Sequence, residues 1–139
     1  MQTLIAVLAV LLIHAAAAGA PRDALLGTWR GTSQCVNREA APACTDEQVV
    51  YDIVATPGEA DAITVKADKI VNGRREPMGD LIFRPDATTP GGYVSEIGSP
   101  AMRSQWFMSV RGDAISGGLI RLPSKTAIRA LELRRAATF

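Results

Sequence analysis

Two cysteines, Cys35 and Cys44, are the residues whose type and spacing most directly indicate a chemistry. Two cysteines in an exported chain pair most simply with each other, and an apolar run at residues 4–13 indicates export. A tetrahedral zinc site is disfavoured because it needs four ligands. A redox-active pair is disfavoured because its two cysteines would stand closer together. The sequence predicts a structural disulfide that closes a short loop and stabilises the fold by roughly 2.5–3 kcal/mol.

Acid–base and nucleophilic chemistry would need side chains that this sequence largely lacks. The one histidine, His14, follows the apolar run and lies in the N-terminal segment expected to be removed, so histidine-based catalysis and metal binding are not expected in the mature chain. Asp46, Glu47 and Asp52 are close in sequence, but a catalytic carboxylate pair needs an apolar pocket that raises one pKa, and nothing in the sequence supplies one. We therefore predict no catalytic residues, no metal ligands and no cofactor, and interpret the protein as a non-enzyme.

Residues 1–18 are predicted to be a signal peptide. An uninterrupted apolar run precedes small residues that fit the cleavage pattern, with cleavage after Ala18 or, alternatively, after Ala20. A membrane anchor is the competing interpretation, but the run is short for the roughly 20 residues that a span needs. Residues 19–139 then have the length of one domain, which we expect to be periplasmic or secreted and not to span a membrane.

The charge balance limits the classes of partner. The formal net charge is +1 at pH 7, which argues against nucleic acid or an anionic membrane surface as the main partner. The sequence gives no indication of the oligomeric state.

Turn-forming clusters divide the rest of the chain into eight short segments rich in β-branched and apolar residues. These segments are Leu26–Cys35, Glu47–Ala55, Ala62–Val71, Arg74–Arg84, Gly92–Ile97, Ser104–Arg111, Ala114–Leu122 and Thr126–Arg134. Apolar and polar residues alternate in several of them, which is typical of antiparallel strands around one core. The short connections favour an all-β, eight-stranded up-and-down barrel, whose closure removes its edges. A two-sheet sandwich is the alternative, but its Greek keys need a long crossover.

The first of these strands carries Gly27-x-Trp29, and the last carries Arg129. This arrangement resembles the pattern of the lipocalin superfamily, and so implies a lipocalin or calycin-like barrel. In that superfamily the tryptophan packs under an arginine from the final strand and closes one end of the barrel. The resemblance therefore implies that Arg129 covers Trp29. The stretch from Gly27 through Cys35 to Cys44 is also similar to small secreted bacterial proteins with such a barrel.

An eight-stranded barrel has an interior that side chains can fill or that can hold one small ligand. Few bulky residues are available to fill this one, so we expect a modest apolar cavity. The candidate ligand-binding residues are Trp29, Tyr51, Trp106 and Met108. Trp29 is alternatively a core anchor, since tryptophan is highly buried on average. The alternative function is a solid barrel that acts through its surface, as an inhibitor or an envelope-interaction module.

Overall fold

A computed structural model describes residues 22–137 of the chain. A short 3-10 helix, Arg22–Ala24, precedes eight strands: β1 Gly27–Cys35, β2 Glu47–Ala55, β3 Ile63–Val71, β4 Arg74–Pro85, β5 Gly92–Ser99, β6 Met102–Arg111, β7 Ala114–Arg121 and β8 Thr126–Arg135. The predicted signal peptide and both predicted cleavage positions lie outside the described residues. Within residues 22–137, no helix is long and apolar enough to cross a membrane.

The eight strands form a closed antiparallel barrel in which each strand neighbours the next in sequence. Strand β1 pairs with β2 on one side and with β8 on the other, which closes the barrel. The β3–β4 hairpin turns at Asn72 and Gly73, whose φ angles are 51° and 76°. A two-residue hairpin turn of type I′ needs positive φ at both central positions, which Asn-Gly tolerates well. The predicted all-β up-and-down barrel is confirmed.

Alternation along the strands builds the core. Val49, Tyr51 and Ile53 of β2 all point inward and are buried, because successive side chains on a strand face opposite sides of the sheet. The buried core consists of Leu25, Trp29, Val49, Tyr51, Ile53, Ile63, Val65, Phe83, Tyr93, Met108, Ile115, Leu131 and Leu133.

The barrel end at which β1 begins is closed by Trp29. Its indole is fully buried, and Nε1 donates a hydrogen bond to the Leu25 carbonyl oxygen at 2.9 Å. The guanidinium of Arg135 lies over the ring, 4.3 Å from the ring centroid. Arg135 also donates to the carbonyl oxygens of Leu26 and Ala24, each at 2.7 Å. These bonds and the cation–π contact fix the segment before β1 across this end.

The prediction that Arg129 covers Trp29 is wrong, because the strand register places a different arginine there. Trp29 is paired directly with Arg135 across the β1–β8 ladder, whereas Arg129 is paired with Cys35 at the other end of β1. Arg129 therefore reaches into the opposite half of the barrel.

The predicted disulfide between Cys35 and Cys44 is present, with Cα atoms 6.0 Å apart. Asp46 Oδ1 accepts a hydrogen bond from the Cys35 backbone N–H at 2.8 Å. Arg121 of β7 donates to the Ala40 carbonyl oxygen at 3.0 Å. The disulfide loop is therefore held against β7 at the end of the barrel opposite Trp29.

The barrel wall is split between β4 and β5. These strands pair only through Arg84 with Val94 and Pro85 with Tyr93, close to their shared loop. Every other neighbouring pair of strands is matched over seven or more residue pairs. Beyond the two paired positions, the facing edges of β4 and β5 diverge.

Candidate functional site

A cavity of about 290 Å³ lies inside the barrel beside the split. Its walls are mainly apolar and come from β1 to β6. The lining residues are Ser33, Glu47, Tyr51, Val65, Ala67, Met78, Gly79, Asp80, Leu81, Phe83, Ile97 and Trp106. The volume is at the lower end of the range found for small-molecule pockets.

The cavity reaches the surface through the split. Met78 and Asp80 of β4 line it and are also exposed to solvent, Met78 by 42%. Ile97 of β5, which lines it from the facing edge, is half-buried. Because β4 and β5 do not pair at these positions, no backbone ladder closes the wall there. The interior is therefore accessible from the side of the barrel.

One wall of the cavity is polar and contains an ion pair. Glu47, the first residue of β2, lies with its Oε2 3.6 Å from Arg129 Nη1. The same nitrogen donates to Ser33 Oγ at 3.2 Å and to the Ser33 carbonyl oxygen at 3.3 Å. The side chains of Arg129 and Glu47 are only 15% and 21% exposed. Pairing with Glu47 and hydrogen bonding to Ser33 offset the cost of removing the arginine charge from water.

Tyr51 lies next to this ion pair and is 6% exposed. Burial, reinforced by the Glu47 carboxylate and opposed by Arg129, raises the pKa of Tyr51 to about 12. Its hydroxyl has no hydrogen-bond partner among residues 22–137. In that part of the chain, every side-chain N or O atom that is fully shielded from solvent does have a partner, so this hydroxyl is not fully shielded. The hydroxyl therefore retains accessible surface, and Tyr51 lines the cavity. It is a neutral hydrogen-bonding group available to a molecule inside the barrel.

The four residues predicted to bind a ligand separate into two groups. Tyr51 and Trp106 both line the cavity. Trp29 and Met108 do not; they are 0% and 1% exposed and belong to the packed core. Trp29 is therefore a core anchor, which was its alternative interpretation. Met108 shares the inward face of β6 with Trp106, but it lies two residues further along the strand, where it is buried in the core.

The sequence interpretation missed Glu47 and Ser33 as cavity residues. Glu47 was considered only together with Asp46 and Asp52, as a catalytic carboxylate. The alternation of β2 contains the signal that was overlooked, because Glu47 shares its face with Val49 and Tyr51 and so points inward. Within the described residues, no group of three or more His, Cys, Asp or Glu side chains is placed to hold a metal ion.

Comparisons with known proteins bear on the fold. No protein-family model matches the sequence, and no curated protein matches it. Among solved structures, the chain is similar to a mutant of the fluorescent protein UnaG, with a TM-score of 0.52 and 12% sequence identity. The match covers 84% of this chain and 99% of that chain. At this identity the likeness shows the fold alone, which is a calycin-like barrel.

Proposed function

We propose that this protein binds a small, mainly apolar molecule inside the barrel and is a binding protein rather than an enzyme. The observation that carries the proposal is the apolar cavity of about 290 Å³ reached through the β4–β5 split. A solid barrel would be packed throughout its interior, whereas here the buried residues Tyr51, Val65 and Phe83 of the core also line a cavity. Fluorescence is a property of UnaG, and we do not propose it for this chain.

The arrangement of the walls supports binding more than catalysis. Apolar side chains such as Val65, Leu81 and Phe83 offer burial to an apolar ligand, which is the main source of affinity in such pockets. The carboxylate of Glu47 is engaged by Arg129. Tyr51, with its raised pKa, stays protonated at neutral pH. These groups can orient a ligand by hydrogen bonds.

We further propose that the protein works outside the cytoplasm, in the periplasm or after secretion. The apolar N-terminal run supports export. The Cys35–Cys44 disulfide supports it independently, because disulfides persist mainly in oxidising compartments.

Binding of the neutral aromatic amine 1-aminoanthracene tests the proposal, since its fluorescence increases in apolar surroundings. We expect saturable binding at one site. Ala67→Phe should weaken binding by about tenfold or more, because the new ring occupies the cavity. Val54→Phe is the matched control, since Val54 lies on the outer face of β2 and is 40% exposed.

Absence of binding to the wild-type protein would contradict the proposal and favour a role through the outer surface. Equal affinities of the Ala67→Phe and Val54→Phe variants would place the dye outside the cavity, which also contradicts it.

A further inference from the structure

The charged groups of the cavity wall indicate which ligands the site selects. Of the described residues that line it, only Glu47 and Asp80 are ionisable at neutral pH, and none is Lys, Arg or His. We infer that the cavity takes small hydrophobic amines and disfavours carboxylates of the same shape. This inference rests on the proposed binding function and adds the chemical class of the ligand to it.

Arg129 is the cation that contacts the polar wall, and the nitrogen that reaches this wall, Nη1, is already engaged. Its Nη1 atom is shared by the Ser33 carbonyl oxygen, the Ser33 hydroxyl and the Glu47 carboxylate at 3.2–3.6 Å. Ser33 and Glu47 line the cavity, whereas Arg129 does not. A molecule in the cavity therefore meets the carboxylate before it meets the guanidinium.

Two hydrogen-bond acceptors face a ligand at this wall. The Glu47 oxygen nearest to Arg129 is Oε2, at 3.6 Å, and Oε1 accepts no hydrogen bond within the described part of the chain. The Tyr51 hydroxyl is likewise unpartnered and can accept or donate. An ammonium group can donate to either oxygen, and the bond to Glu47 is charge-assisted.

A carboxylate head group would lie beside Glu47 instead. Repulsion between two like charges is stronger at a mainly apolar, partly buried wall than in bulk water. Tyr51 could donate to either kind of head group, so Glu47 is the residue that discriminates. Asp80 lies at the rim of the split, but Lys66 is paired with it across the β3–β4 ladder, so the discrimination is assigned to Glu47 alone.

Calorimetric titration with three probes of one shape tests the inference: 1-naphthalenemethylamine, 1-naphthalenemethanol and 1-naphthoate at pH 7. The first is then a cation, the second is neutral and the third is an anion. We expect the amine to bind at least about tenfold more tightly than naphthoate, with the alcohol between them.

Replacing the discriminating carboxylate should change this order. Glu47→Gln keeps the shape of the side chain but leaves Arg129 without its counter-charge. We expect the ratio of amine to naphthoate affinity to fall by about tenfold or more. Glu59→Gln is the control, since it removes the same charge from an exposed ion pair with Arg84 outside the cavity lining, and should leave the ratio unchanged.

The outcomes separate this inference from the proposed function. If all three probes bind with similar affinity, or naphthoate binds best, the inference is overturned while the binding function stands. If none binds, the binding function fails and the inference with it. The wild-type series decides the question even if Glu47→Gln does not fold.

Tyr51→Phe is a second variant. It should weaken the binding of the amine and of the alcohol several-fold without changing the order of their affinities.

Discussion

The Tyr51 hydroxyl links the polar wall of the cavity to the stability of the fold. Its pKa is about 12 in the folded protein, against 10.0 for an unperturbed tyrosine, mainly because of burial. Below pH 10 the group is neutral in both folded and unfolded states. Between pH 10 and 12 the unfolded chain loses the proton while the folded chain keeps it. Stability contributed by Tyr51 is therefore present below pH 10 and lost as the pH rises toward 12.

We predict that Tyr51→Phe abolishes this alkaline loss, which approaches roughly 2.5 kcal/mol at the upper end of the range. Urea unfolding of both proteins between pH 9 and 11.5 measures it. Burial also raises the pKa of Tyr93. Both proteins retain Tyr93, so its contribution to the alkaline loss of stability cancels in the comparison. Parallel stability curves for the two proteins over this range would show that Tyr51 is not buried as described.

The arginine that covers Trp29 could be predicted from the sequence only in part. Alternation along β8 places Arg129 and Arg135 on the same face, so the sequence supports an inward arginine on the final strand. Which of the two covers Trp29 depends on the β1–β8 register, which pairs residues about a hundred positions apart. No local pattern sets that register. The type of contact was predictable from the resemblance, but the residue was not.

At the scale of elements, turn chemistry made the strands predictable. All eight strands lie within a few residues of the expected segments, because Gly, Pro, Asn and Asp mark the connections. The split between β4 and β5 was not predicted, although β4 contains signals of an unpaired edge. Pro77 lacks an amide donor, and charged residues lie on both sides of it; both features are typical of edge strands.

Hydrogen exchange tests the split directly. We predict that alternate amides of residues 78–82 in β4 and 95–99 in β5 exchange rapidly, because they face an edge without ladder partners. The amides of β1 serve as the internal reference, since β1 is paired on both sides and should be protected. Amide-resolved NMR exchange measures both sets in one sample. Equal protection of all three segments would mean that the wall is closed in solution and that the lateral route does not exist.

At the scale of the molecule, the barrel is packed at one end and hollow beside the split. The closed end combines Trp29, Arg135 and the segment before β1. The disulfide loop is held against β7 at the opposite end. Sequence could not decide between a hollow and a solid barrel. The volume of a cavity is the small difference between the volume that the strands enclose and the volume of the side chains that point inward. The split enlarges this empty volume, and it arises because β4 and β5 pair at only two positions.

The central claim is that the space beside the split, and not the packed end, receives an apolar ligand. The sequence has two tryptophans, and they report on the two regions: Trp106 lines the cavity, whereas Trp29 is buried with its indole N–H bonded to Leu25. The most direct measurement is an NMR titration of the two indole N–H signals with 1-naphthalenemethylamine, assigned with Trp106→Phe. We predict a saturable shift of the Trp106 signal and a stationary Trp29 signal. Two stationary signals, or a shift confined to Trp29, would contradict the account.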